Sequence, residues 1–258
     1  MFSRSLKKQQ KLALLREQIG EARDRKCLLV THGDNNGALN HHLRAHGGRW
    51  TWVENESKQI TEMEGLLGEP VLRGDPARIP VDDESFDLAV SIDVHEHLDD
   101  PESFNRELHR AVRAGGTVIV TTPNGDLGKP LVALKNRLGM TKEIYGHKVV
   151  GYTVDQHESM LEAVGLHPLT AGSYARFFTE LLELGINFGY VKVLSRKSGT
   201  EVEAGDIAPS SQDRLRAVEK QYRLYSIIYP FLYALSRLDL VLLGTVGYAV
   251  SVVSRKPE

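Results

Sequence analysis

The sequence predicts an α/β fold: a doubly wound, mostly parallel sheet of seven strands, with a helical insertion before the last strand. Three observations predict it. Short apolar, β-branched runs alternate with helix-patterned segments from Lys26 to Asn124, the order that builds a parallel sheet. A glycine-bearing turn, HGDNNG at 32–37, joins the first run to a helix. Two more strand-like runs, LHPLTAGSY at 166–174 and GYAVSVVSRK at 247–256, bracket a long segment of different composition.

The elements follow in order. RSLKKQQKLALLREQIGEARDR reads as an amphipathic helix, with Leu6, Leu12, Leu15 and Ile19 near one face. Ser3 to Glu17 carry five Lys/Arg and no continuous apolar stretch, unlike a signal peptide. This helix is expected to cap the domain, with a basic face that could also meet a membrane surface. KCLLVT (26–31) is the first strand, RWTWVENE the second, Val71–Leu72 a short third and FDLAVSID the fourth. PESFNRELHRAVRAGG is a helix with Pro101 in its first turn, Asp99 or Asp100 as cap and Gly115–Gly116 as its end. TVIVTTPN is the fifth strand, β-branched enough to be buried on both faces.

Residues 125–150 read as an inserted helix and loop. YTVDQHESMLEAVG is a helix capped by Thr153 and ended by Gly165. The organisation expected is an N-terminal helix (1–25), a main domain (26–176 and 246–258) and an insertion (177–245). In that insertion SRKSGTEVEAGDIAPSSQD reads as a loop. RLYSIIYPFLYALSRLDLVLLG is interrupted by Arg237 and Asp239, short of a spanning helix. It is expected to be a core or interfacial helix pair broken near Pro230. Tyr222, Tyr225, Tyr229 and Tyr233 recur at helical spacing, as packing or as an interfacial belt.

Composition narrows the function. Of 258 residues, 41% are hydrophobic and 26% charged, which suits a packed domain. A formal net charge of −2 gives no drive toward nucleic acid, so no nucleic-acid partner is expected. Cys27 is the only cysteine and sits in an apolar run. It reads as a buried hydrophobe in a reducing, cytoplasmic setting.

In a doubly wound sheet, ligands bind outside the carboxyl ends of the strands. Gly33 and Gly37 lie there and let backbone approach a ligand, and Asn35 and Asn36 suit left-handed backbone. Glu54 ends the second strand about twenty residues on, the spacing of a ribose-holding acid. Glu56 is its rival. Asp75 follows the third strand and would reach an adenine amino group. Asp93 ends the fourth. A nicotinamide dehydrogenase is disfavoured because the loop lacks G-x-G-x-x-G.

The block GDPARIPVDDESFDLAVSIDVHEHLDDPESFNRELHRAVRAGGTVIVTTPN resembles the central segment of class I S-adenosylmethionine-dependent methyltransferases of the small-molecule type, the group that includes ubiquinone-biosynthesis methyltransferases. The resemblance covers about residues 26–176 and 246–256. It implies a Rossmann-like fold, S-adenosylmethionine as cofactor, and O- or C-methylation of a small or lipid-like acceptor. It implies that Gly33, Asp34, Asn35 and Gly37 line the methionine part, Glu54 holds the ribose, Asp75, Pro76 and Ala77 bracket the adenine, and Asp93 and Val94 lie under the sulfonium. Thr31 stands where the family carries an acid and Asn35 where it carries a glycine. Asp34 or His32 is then expected to meet the cofactor's ammonium group. A degenerate binding or scaffold protein is the alternative.

The sulfonium is already an activated methyl donor, so the protein needs to align the reactants and take a proton from the acceptor. His95, Tyr145 and His147 are the candidate bases, His95 first because it follows the fourth strand. DVHEH has acid and imidazole character, but Glu96 and His97 also suit a helix start, and no metal is expected. Arg176, amid Phe177 and Phe178, would touch substrate or cover the sheet edge.

Overall fold

The structure, a computed structural model, describes residues 2–33, 36–198 and 219–258. Seven strands form one sheet in the order β3-β2-β1-β4-β5-β7-β6. They are β1 (Lys26–Thr31), β2 (Arg49–Glu54), β3 (Val71–Arg73), β4 (Phe86–Ile92), β5 (Val112–Pro123), β6 (His167–Tyr174) and β7 (Ala249–Arg255). β1 to β5 pair in parallel, and β7 lies antiparallel between β5 and β6. The chain leaves β1 toward β2 and returns to β4 on its other side, so the strand order reverses between β1 and β4.

The helices are α1 (Leu6–Ile19), α2 (Ala38–Arg44), α3 (Ser57–Leu67), α4 (Pro101–Ala111), α5 (Pro130–Arg137), α6 (Val154–Glu162), α7 (Phe177–Ser198) and α8 (Glu219–Ser236). Strand side chains alternate between faces, and β1 shows why both faces are covered. Cys27 and Leu29 pack with Leu12 and Leu15 of α1, Leu43 of α2 and Met63 of α3. Leu28 and Val30 pack on the other face with Phe104 and Leu108 of α4 and Leu161 of α6. The N-terminal helix is therefore part of the core. Gln10 fixes it further, accepting from the Ala175 amide at 2.8 Å and donating to Thr179 Oγ1 at 2.8 Å.

Local chemistry sets the ends of these elements. Asp100 caps α4 by accepting from the Ser103 amide at 2.9 Å. Thr153 and Gln156 form a reciprocal capping box at α6. Gly115–Gly116 do not end α4. The helix stops at Ala111, and the glycines lie in β5 where its register against β4 shifts.

The insertion also departs from expectation. α8 runs through Pro230, and the break falls at Arg237, where a 3-10 helix (Arg237–Leu242) begins. Asp239 does not merely interrupt an apolar run. It is buried and accepts from the amides of Arg176 (3.0 Å), Phe178 (2.8 Å) and Thr179 (3.3 Å), closing the start of α7. Arg176 donates to the carbonyls of Thr245 and Leu243, so it latches the insertion. Residues 199–218, most of the expected polar loop, lie outside the described residues.

Candidate active site at the strand tips

The carboxyl ends of β1, β2 and β4 meet in register: Thr31 lies beside Glu54 on one side and Ile92 on the other. Gly33 and Gly37 carry the left-handed backbone of the loop, at φ +71° and +81°. A Cβ on Gly37 would stand 3.1 Å from Met63 Cα. Asp34 and Asn35 lie outside the described residues.

Glu54 is fully buried. One carboxylate oxygen accepts from the amides of Gly33 (2.8 Å), Asn55 (2.9 Å) and Glu56 (3.1 Å), and the other from Thr31 Oγ1 at 2.6 Å. Thr31, standing where an acid was expected, thus serves as a donor to the acid of the next strand. Burial pushes the Glu54 carboxyl up, against the opposing pull of these bonds. These four bonds fold the loop onto β2, so a ribose hydroxyl would have to exchange with one of them. Asp75 is exposed, accepts from the Ala77 amide at 2.8 Å, and lies close enough for its charge to act on His32. Pro76 is buried beside it and Ala77 exposed.

Asp93 takes a left-handed backbone, φ +52°, just past β4, and its amide donates to the Thr121 carbonyl. Its carboxylate pairs with the Lys11 ammonium from α1. Burial raises this carboxyl, but Lys11 overrides that and holds it below the ordinary range. Val94 is fully buried. Lys7, one turn before Lys11, pairs with buried Glu180 of α7, which Lys135 also meets. α1 thereby covers the site through two ion pairs. Sequence reasoning missed Lys11; its only local signal is the four-residue spacing from Lys7 on a basic helix face.

Three imidazoles gather beside Asp93. His32 stacks on His97 with ring centres 4.7 Å apart, and His147 meets His97 edge-on at 4.8 Å. His97 Nδ1 donates to the Gly146 carbonyl at 2.9 Å, which fixes its tautomer. Burial holds His32 down at about 4 and His147 at about 3, each lowered further by His97, so both are neutral near pH 7. Tyr145 lies 5.7 Å from His147, and burial pushes its hydroxyl up to about 12, so it stays a donor. Among the described residues, ligand atoms of Glu96, His97 and His147 fall within 4.8 Å of one another.

His95 is the exception among the expected bases. It turns away from the mouth and is fully buried. Its Nε2 bonds Asn105 Oδ1 at 2.8 Å, and its ring packs edge-on against Phe104 and His157. The short 3-10 turn His95–His97 rotates it under the sheet while presenting His97. Tyr145 and His147 remain at the site.

The residues present suit S-adenosylmethionine. The glycine loop gives a backbone cradle with an amide edge. Asp75 offers an exposed acceptor on the rim, and Asp93 lies at the tip of β4, paired with the Lys11 ammonium.

A profile described as a methyltransferase domain matches residues 31–120. A probable S-adenosylmethionine-dependent methyltransferase of Mycolicibacterium smegmatis is 41% identical over 54 residues, 21% of this chain and 21% of the relative. The chain thus aligns with about a fifth of the length of such relatives. The fold matches the crystal structure of an S-adenosylmethionine-dependent methyltransferase from Mesorhizobium loti, with TM-score 0.56, 14% identity and coverage of 95% and 96% of the two chains. It also matches the [4+2]-cyclase SpnF, with TM-score 0.59, 14% identity and coverage of 97% and 82%. The fold alone therefore does not fix a reaction. Residues 31–120 are thus similar to a methyltransferase domain, and the seven-stranded sheet has the fold of solved S-adenosylmethionine-dependent methyltransferases.

Proposed function

We propose that the protein transfers a methyl group from S-adenosylmethionine to an oxygen or carbon atom of a small or lipid-like acceptor, in a cytoplasmic setting. The observation that carries this reading is the meeting of the Gly33 loop, Glu54 and Asp93 at three adjacent strand tips, with neutral imidazoles beside them. In this reading the cofactor supplies the activated methyl. Gly33 and Gly37 carry backbone past its methionine part, with Asp34 and Asn35 of the same loop. Glu54 holds that loop closed and offers its carboxylate to the ribose. Asp75, Pro76 and Ala77 bracket the adenine, and Asp93 and Val94 underlie the sulfonium. His147 is the candidate base and Tyr145 a hydrogen-bond donor to the acceptor; the burial that keeps His147 uncharged also makes it a weak base, which suits an acceptor whose own proton is acidic. α1 excludes water above Asp93.

A second reading, a binding protein that kept the fold, is favoured by one observation: Lys11 already neutralises Asp93. Calorimetry on the full chain with S-adenosylmethionine, S-adenosylhomocysteine and NAD separates the two, followed by transfer of labelled methyl into butanol-extractable lipid and into water-soluble acceptors. Cofactor binding with label transfer is expected. Cofactor binding with no transfer to either pool favours the second reading, and binding of NAD alone overturns both.

A further inference from the structure

α8 is amphipathic the wrong way round for a helix on a soluble surface. Its inner row carries tyrosines and serines that bond back to the domain. Tyr225 OH donates to the Arg4 carbonyl, Tyr229 OH to the Ser3 carbonyl at 3.3 Å, and Ser226 Oγ accepts from Arg4 at 3.0 Å. Its outer row is aliphatic and aromatic. Leu224, Ile227, Ile228, Phe231, Leu238 and Val241 recur at helical spacing, with Ile227 71%, Phe231 67% and Val241 77% exposed. Leu243 and Val246 continue the surface beyond the 3-10 helix. A continuous exposed apolar surface of this kind marks an interaction site.

The charges at its edges indicate the partner. Between Glu219 and Val246 the chain carries Lys220, Arg223 and Arg237 against Glu219 and Asp239. Asp239 is turned inward on the start of α7, and Glu219 pairs with Arg223 at 3.1 Å. Lys220 and Arg237 are exposed and make no ion pair among the described residues. A second copy of this face would set cations against cations. Anionic lipid headgroups supply the missing negative charge, and acyl chains accept the aliphatic row.

We propose that the outer face of α8 and its 3-10 extension docks on an anionic lipid bilayer, with the helix lying flat on the surface. The stretch Tyr222–Leu242 is long and apolar enough to cross a membrane. The inner-row bonds to Ser3 and Arg4 and the Asp239 latch instead hold it along the domain, and crossing would carry Arg237 into hydrocarbon. The docking does not depend on methyl transfer. Together the two would bring the site to a membrane-held acceptor.

The test is flotation of the full chain with vesicles of phosphatidylcholine alone and of phosphatidylcholine with phosphatidylglycerol in equal parts. The wild type is expected to float with the anionic vesicles and to be released in part by high salt. Ile227→Glu with Phe231→Glu, at exposed positions, should lower partitioning by roughly tenfold or more. Lys220→Glu with Arg237→Glu should remove the preference for anionic vesicles. Both double variants should keep wild-type circular dichroism and bind S-adenosylhomocysteine as the wild type does, which separates failure of docking from failure of the cofactor reading. A wild type that floats with neither vesicle overturns the proposal. So does a wild-type dimer that Ile227→Glu with Phe231→Glu splits into monomers without any flotation, since the face then joins two copies.

Discussion

Replacing Glu54 by alanine removes one acceptor that serves four donors, from the end of β1, the loop between β1 and α2, and the turn between β2 and α3. A hydrogen bond to a charged group contributes about 1.5–3 kcal/mol, but the loop amides can regain water and the carboxylate no longer has to be desolvated. Counting about 1 kcal/mol per bond gives a loss of roughly 3–4 kcal/mol for Glu54→Ala. Glu54→Gln keeps an acceptor for the amides and should lose about 1–2 kcal/mol. Urea unfolding reads this directly. With a slope of about 3 kcal/mol per molar, the alanine variant's midpoint falls by about 1 M.

The pH dependence adds a second reading of the same group. Burial raises the folded carboxyl above its unfolded value, so the folded state binds more protons between the two. Wild-type stability should therefore fall as pH climbs from the ordinary carboxylate range through the raised folded value, and level off above it. Glu54→Gln should lack that slope. S-adenosylhomocysteine binding should weaken by roughly 1–3 kcal/mol in the alanine variant. An alanine variant within about 0.5 kcal/mol of wild type, a typical surface substitution, would refute the closure role.

Other perturbations test neighbouring parts. Lys11→Met strands the Asp93 carboxylate and should destabilise the protein by about 2–4 kcal/mol near pH 7. Because Lys11 holds Asp93 below its unfolded value, the wild type should also lose that stability as pH falls through the ordinary carboxylate range toward the folded value, and matching acid limbs in wild type and variant would contradict the pairing. Gly37→Ala forces a side chain into left-handed backbone beside Met63 and should cost about 1–3 kcal/mol by thermal unfolding. His147→Phe should lower kcat by roughly 100-fold or more while leaving S-adenosylhomocysteine affinity within about threefold; equal loss of both would make His147 a structural residue.

The parts of this architecture that were legible are those fixed by near neighbours in the chain. Lys26–Thr31, Phe86–Ile92 and the run after Gly116 are largely buried on both faces and read as strands because they are short, mostly apolar and rich in β-branched residues, with Asp87 the one acid among them. Asp100 and Thr153 read as caps because a cap acts within three residues. The α4–β5 boundary was not legible, since a strand shift against β4 moved Gly115–Gly116 out of the helix end. Pro230 misled because packing of the tyrosine row carries α8 through one lost backbone bond. At the site, the glycine loop and Asp93 followed from strand order. The Lys11–Asp93 pair spans 82 positions, and the direction His95 faces depends on a three-residue turn, so neither left a local trace.

The most direct measurement is a crystal structure of the full chain with S-adenosylhomocysteine. One ligand should lie across the tips of β1, β2 and β4, touching the Gly33 loop, Asp75 and Asp93. A ligand bound instead in the arginine-lined groove at the opposite end of the sheet, beside Arg23, Arg25, Arg113 and Arg255, would contradict the account.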